Sequence, residues 1–235
     1  MRVWVTRSQP GADRQAADLR AAGHEAIVAP VLRAVATNRP PPKGPFDLLV
    51  FLSEHAVRFG LPALQRAPWL STARILAVGA RTAAVLGEAG IEASSPDGPA
   101  TSEGLLDSSL LDDVDGCRVL LVRGIGGRSV LAGELRRRGA AVFAYACYRR
   151  EPLSGVDAAV RGCDVIVVSS GDGLREVDRL WRAAGGAAAV PLLVPSARVA
   201  RLGVELGFSN LHDCGGADSG AVLAALRRLA CAGTS

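Results

Sequence analysis

The chain carries its own sequence twice. Residues 2–33 lie over residues 118–149 at a constant offset of 116, matching Arg2, Val3, Arg7, Gly11, Leu19, Arg20, Gly23 and Arg33 to Arg118, Val119, Arg123, Gly127, Leu135, Arg136, Gly139 and Arg149. Further on, the offset becomes 117 and holds: Asp47-Leu48-Leu49-Val50 meets Asp164-Val165-Ile166-Val167, Ser53 meets Ser170, Ala80-Arg81 meets Ala197-Arg198, and Gly90 meets Gly207. Ala100-Thr101-Ser102 falls on Ala217-Asp218-Ser219 in the same register. One structural unit has been duplicated. Two similar lobes and a cleft between them are therefore expected.

Each copy alternates short apolar runs with helical patterns. In the first copy the runs Val3–Val5, Ala26–Val28, Leu48–Leu52 and Ile75–Val78 are rich in branched residues, as buried parallel strands are. Between them, 13–22 places Ala16, Leu19 and Ala22 on one helical face and ends at Gly23, a C-terminal cap. This pattern predicts an α/β fold of two doubly wound parallel-sheet lobes.

Two segments break the rhythm at equivalent places. Arg39–Pro45 carries four prolines, and Tyr148-Arg149-Arg150-Glu151-Pro152 follows the corresponding strand of the second copy. Proline enforces extended backbone, so both segments are expected as crossings, at about 36–45 and 148–155. Residues 38–147 would then form a continuous lobe, and 1–35 plus 152–235 a discontinuous one. A single cut near 112–116 fits the same pattern.

With 49% hydrophobic residues, 235 residues suffice for two small cores. No apolar run approaches the roughly 18 residues a membrane span needs, and the opening residues read as a strand, so a cytoplasmic, monomeric protein without membrane partners is expected. Five cysteines without a C-x-x-C pair read as reduced thiols. Lys43 is the only lysine and lies among prolines, which leaves no credible Schiff-base or phosphate-loop lysine. The other cations are arginines, suited to acidic ligands. Aromatics make up only 4% of the chain and do not interleave with the arginines, which argues against nucleic acid as a partner. His24, His55 and His212 are far apart without further ligands at metal spacing, so no metal is expected. The stretch 124–129 approximates a dinucleotide fingerprint but has Ser129 at its third glycine and no acidic residue ending the next strand.

Small polar residues gather where strands give way to helices: Ser53; Gly79, Ala80, Arg81 and Thr82; Ser169, Ser170 and Gly171; Ser196, Ala197 and Arg198. In open parallel sheets ligands bind beyond the carboxyl ends of the strands, where helix N-termini offer unpaired amides. Each such residue is also an ordinary cap or turn former. Their recurrence in both copies points to a binding surface for an anion. Tyr148, beside Arg149 and Arg150, could deliver a phenol proton, and it fits equally a strand-end aromatic with its hydroxyl in water.

These motifs resemble the uroporphyrinogen-III synthases over essentially the whole chain: Val5-Thr6-Arg7, Phe51–Val57, Ala77–Ala83, Tyr148-Arg149, Ser169-Ser170-Gly171 and Gly203–Phe208. The resemblance implies a two-lobed fold with paired strand-like linkers and the discontinuous lobe. It also implies cofactor-free cyclisation of the linear tetrapyrrole hydroxymethylbilane, a polycarboxylate, with inversion of its last pyrrole ring. Tyr148 and Thr82 become the candidate catalytic residues. Arg7, Ser53, Gly79, Ala80, Arg81, Ser102, Arg149, Ser169, Ser170, Gly171, Ser196, Ala197 and Arg198 become candidates for substrate binding. Leu52 and Val199 stand where the family usually has hydroxyl residues, and Ser196-Ala197 replaces its Gly-Pro. A diverged member with another substrate, or a noncatalytic binder of an acidic small molecule, would share these features.

Overall fold

The computed structural model describes residues 1–98, 100–126, 130–155 and 158–232. In chain order the strands are β1 (Arg2–Val5), β2 (Glu25–Val28), β3 (Leu32–Ala36), β4 (Leu48–Phe51), β5 (Arg74–Ala77), β6 (Arg118–Gly124), β7 (Ala141–Pro152), β8 (Val165–Val167), β9 (Leu192–Val194) and β10 (Leu211–Asp213). The helices are α1 (Gly11–Ala21), α2 (Glu54–Leu64), α3 (Ala80–Glu88), α4 (Ser102–Leu106), α5 (Val130–Arg137), α6 (Gly171–Ala183), α7 (Ala197–Glu205) and α8 (Ser219–Ala232). Among the described residues no helix is long and apolar enough to cross a membrane.

The chain divides into two compact units: Met1–Arg33 with Glu151–Ser235, and Ala34–Arg150. In the first, the sheet order is β10-β9-β8-β1-β2, and its pairs run parallel. In the second, the order is β3-β7-β6-β4-β5, with β7-β6-β4-β5 parallel. Under the sequence offsets β6, β7, β4 and β5 stand for β1, β2, β8 and β9. An isolated bridge between Leu76 and Ser94 occupies the place of β10. Thus both sheets have one topology, and each takes strands from both copies of the repeat.

Strand alternation explains why helices cover both faces. In the first sheet Val3, Val5, Val165 and Val167 pack with Ala12, Ala16 and Leu19 of α1 and Val222 and Leu226 of α8. Trp4, Ile166 and Leu192 point the other way, onto Leu174, Val177 and Trp181 of α6 and Val199 of α7. The second sheet repeats this. Leu49, Phe51 and Val122 meet α2 and α3, while Leu48, Val50 and Val119 meet Leu105 of α4 and Leu131 and Leu135 of α5. Each such fully buried side chain contributes about 1.5–3 kcal/mol.

The chain passes between units inside β3 and β7. The Val31 carbonyl accepts from Leu153 N–H at 3.0 Å in the first unit, and the Cys147 carbonyl accepts from Thr37 N–H at 3.0 Å in the second. The prolines of 39–45 therefore lie wholly within the second unit rather than at the crossing. The first of them, Pro40, comes four residues after β3 ends at Ala36, and without N–H groups these prolines add nothing to its ladder.

Gly60 of α2 shows how tightly helix and sheet meet. A Cβ there would stand 2.6 Å from Val122 Cγ1 and 3.2 Å from Cys147 Sγ. Gly133 of α5 has open space around it. Gly60→Ala is expected to lower the unfolding free energy by about 1–3 kcal/mol, despite a helix-propensity gain near 1 kcal/mol. Gly133→Ala keeps only that gain and is expected to raise it by about 0.4–1 kcal/mol. Urea unfolding of the two variants checks both signs.

Candidate functional site

In the second unit β4 ends at Phe51, and Ser53 turns the chain into α2. Its Oγ accepts the Ala56 N–H at 3.0 Å, the usual serine cap. The same Oγ lies 3.1 Å from the Tyr148 hydroxyl, brought from β7, 95 residues away in sequence. An Arg150 guanidinium nitrogen donates to the Tyr148 oxygen at 3.4 Å, and its charge lies 5.7 Å from the ring centroid. With Arg150 occupying one lone pair, the phenol O–H can be given to Ser53. Tyr148 is only 3% exposed, with the rings of His55 and Phe59 at 5.4 and 5.9 Å.

Gly124, at the end of β6, makes room for this ring. A Cβ there would lie 2.7 Å from Tyr148 Cζ. Gly124, His55, Phe59 and Arg150 are thus parts of the site that sequence reasoning missed as such. Gly124 left a trace only as the first glycine of the 124–129 stretch, of which 127–129 fall outside the described residues.

Two further helix starts gather near α2. Arg81 Nε lies 3.5 Å from a Glu54 carboxylate oxygen, joining the first turns of α3 and α2. A Cβ on Gly79 would press on Ala100, which precedes α4. Gly79 is the extended N-cap of α3 and supplies no side-chain cap, so the Ala80 and Arg81 amides have no intrahelical acceptor. At α4 the cap is Thr101, whose Oγ1 accepts from Gly104 N–H at 3.0 Å; Ser102 is the first helical residue instead. Thr82 is 4% exposed, and its counterpart Val199 is 1% exposed within the core. Arg149 is exposed.

The first unit repeats the arrangement. Ser170 Oγ caps α6 by accepting from Gly173 N–H at 3.1 Å, with Ser169 half-buried just before it. A Cβ on Gly171 would stand 3.6 Å from Arg198 Nη1, so the starts of α6 and α7 adjoin. Ser196 is the extended N-cap of α7, yet its hydroxyl makes no cap bond, which leaves the Ala197 and Arg198 amides as those of α3 are left. Arg7 donates to the Ala217 carbonyl at 3.1 Å, just before α8. Sequence alone could not have separated the helix starts capped by serine or threonine from the two that are not.

Burial pushes the thiols of Cys147, Cys163 and Cys214 up to about 11. Among the described residues no group of three or more His, Cys, Asp or Glu side chains could hold a metal ion.

Comparison with known proteins identifies what shares this arrangement. A family model described as uroporphyrinogen-III synthase HemD matches residues 13–211. The uroporphyrinogen-III synthase of Salmonella typhimurium is 33% identical over 97% of this chain and 100% of its own length. That of Escherichia coli is 32% identical with the same coverage. Among solved structures, uroporphyrinogen-III synthetase from Helicobacter pylori superposes with a TM-score of 0.67 at 14% identity, covering 97% of this chain and 98% of the other. A mutant synthase from Thermus thermophilus gives 0.55 at 18% identity, covering 97% of each chain.

The raised thiols generate a pH prediction. At about pH 8 the native protein should alkylate at exposed Cys231 with iodoacetamide, while Cys147, Cys163 and Cys214 react roughly a hundredfold more slowly than in urea, since only the thiolate attacks. Between about pH 9 and 11 the folded state keeps protons that the unfolded state has released, so stability should fall across that window as pH rises. Mass-spectrometric mapping of alkylated cysteines and thermal melts at stepped pH check the two statements.

Proposed function

The chain belongs to the uroporphyrinogen-III synthase family, and we propose that it catalyses the reaction for which that family is named: ring closure of hydroxymethylbilane, with inversion of the terminal pyrrole, to uroporphyrinogen III. The observation that carries this reading is family likeness along nearly the whole chain, joined to a hydroxyl pair, half-buried Ser53 and buried Tyr148, backed by Arg150.

The chemistry asks little of the protein beyond proton delivery and shape. The substrate's hydroxymethyl carbon loses its oxygen as water when that oxygen receives a proton, which leaves an electrophilic azafulvene. Tyr148 supplies the proton. Arg150 and Ser53 then stabilise the phenolate left behind, by charge and by hydrogen bond. The new carbon–carbon bond forms within the folded tetrapyrrole, so holding that fold accounts for much of the rate. As candidate groups for its carboxylates the second unit offers the helix-start amides of Ala80 and Arg81, the side chains of Arg81 and Arg149 and the hydroxyls of Ser53 and Ser102, and the first unit, taken by itself, offers the amides of Ala197 and Arg198, the side chains of Arg7 and Arg198 and the hydroxyls of Ser169, Ser170 and Ser196. Gly79 and Gly171 let Ala100 and the start of α7, respectively, pack against these helix starts. We take the protein to act as a cytoplasmic monomer.

The direct test is incubation of catalytic amounts of protein with freshly generated hydroxymethylbilane, followed by oxidation and chromatographic separation of isomers. The type III isomer is expected; type I alone, the product of spontaneous closure, would sink the reading and leave a binding protein or a cyclase of another substrate. Tyr148→Phe retains the ring and is expected to slow type III formation by about tenfold or more, set against the roughly 10²- to 10⁴-fold typical of general acid help. Thr82→Val should keep the fold, because valine packs at the equivalent position 199. If the Thr82 hydroxyl also bonds a substrate carboxylate, that change weakens product binding about ten- to a hundredfold, measured by fluorescence titration.

A further inference from the structure

The Tyr148 ring owes its direction to a break in the register of β7. Along the parallel ladder with β6, Val122 faces Tyr145 and Arg123 faces Ala146, but Gly124 faces Tyr148, so Cys147 is an extra residue against β6. Residues paired in register share a face of the sheet, and successive residues of a strand alternate between faces. In unbroken register Cys147 would face Gly124, and Tyr148 would turn to the opposite face, away from α2. With the bulge, Tyr145, Cys147 and Tyr148 all join the core beneath α2, and the Tyr148 hydroxyl comes to 3.1 Å from Ser53. A bulge of this kind disrupts the ladder locally, and the backbone groups it displaces need partners.

Thr37, one residue beyond β3, supplies them. Its N–H donates to the Cys147 carbonyl at 3.0 Å, and its hydroxyl donates to the Ala146 carbonyl at 2.7 Å. Successive carbonyls of a regular strand point to opposite neighbours, yet these consecutive ones both accept from a single residue. The Thr37 oxygen accepts in turn from the Arg39 N–H at 3.4 Å, which leaves its own proton for Ala146. On the β6 side the Cys147 thiol donates to the Arg123 carbonyl at 3.4 Å, across the same break.

We propose that Thr37 is a positioning residue for Tyr148: its hydroxyl holds the bulge that turns the phenol towards Ser53. The phenol's part in catalysis rests on the function proposed above; the seating of the ring does not.

Tyr145 and Tyr148 are the two tyrosines of the chain, so fluorotyrosine labelling in a Tyr145→Phe background gives a single fluorine NMR resonance, from Tyr148. Thr37→Val removes the hydroxyl while keeping the side-chain shape and the main-chain bond. It is expected to move that resonance most of the way to its position in Ser53→Ala, where the phenol has lost its partner. Thr37→Ser, which restores the hydroxyl, is expected to leave it at the parent position. In type III formation Thr37→Val is expected to lower kcat about fivefold or more with KM within about twofold, and to add no further loss in a Tyr148→Phe protein. Thermal melts confirm that folded protein is compared, and Thr37→Ala takes the place of valine if valine unfolds the chain. An unmoved resonance overturns the proposal whatever the turnover, and so does an equal loss of kcat with and without the Tyr148 hydroxyl. A moved resonance in a protein that makes no type III isomer supports the positioning and sinks only the reaction.

Discussion

Each sheet is closed by a ladder between the two copies of the repeat, and the rest of the structure depends on it. β1 pairs in parallel with β8, and β6 with β4. At the start of each ladder one aspartate grips the partner strand from both sides. Asp164 Oδ2 accepts from Arg2 N–H at 2.7 Å while the Asp164 N–H donates to the Arg2 carbonyl at 2.8 Å. Asp47 does the same with Arg118, at 2.8 and 3.0 Å. Register matters here because a slip of one residue would turn Trp4 from its own core to the opposite one. Neither copy alone contains a complete sheet, so the chain must cross twice, and β3 and β7 are the strands that do it.

The same ladders fix where the strands end, and hence where chemistry can sit. Because β4 and β6 are in register, Ser53 and Gly124 come to one edge, and the continuation of β7 past Gly124 sets Tyr148 over the glycine. Packing decides the rest. A ring 3% exposed, bounded by His55, Phe59 and the space left at Gly124, has little freedom to turn its hydroxyl away from Ser53. Positioning of this kind lets a weak acid act in one direction.

Much of the fold was legible in the sequence because parallel strands buried on both faces are short branched runs, and those runs lie within a residue or so of β1, β2, β4 and β5. The α/β class and the family follow from such local signals repeated in order. What could not be read were long-range choices. Ser53 and Tyr148 were each visible, but nothing in a one-dimensional pattern pairs residues 95 positions apart. Arg149, Arg150 and Pro152 look like linker chemistry, yet they extend β7, because a strand that carries the chain from one unit to the other can have charged residues along its length. Thr101 rather than Ser102 caps α4, a difference of one residue that propensity cannot resolve. Thr82 and Val199 differ in polarity but share a buried setting, which periodicity does not reveal without knowing what lies above them.

The claim on which the functional account rests is that Ser53 and Tyr148 act as one unit through their shared hydrogen bond. A double-mutant cycle on type III product formation, with Ser53→Ala, Tyr148→Phe and both together, measures that coupling directly once rates are corrected for the fraction folded, since Ser53→Ala also removes a helix cap. The account predicts that the double variant is about as slow as the slower single one. Multiplication of the two single losses would show that the hydroxyls work independently, and would contradict it.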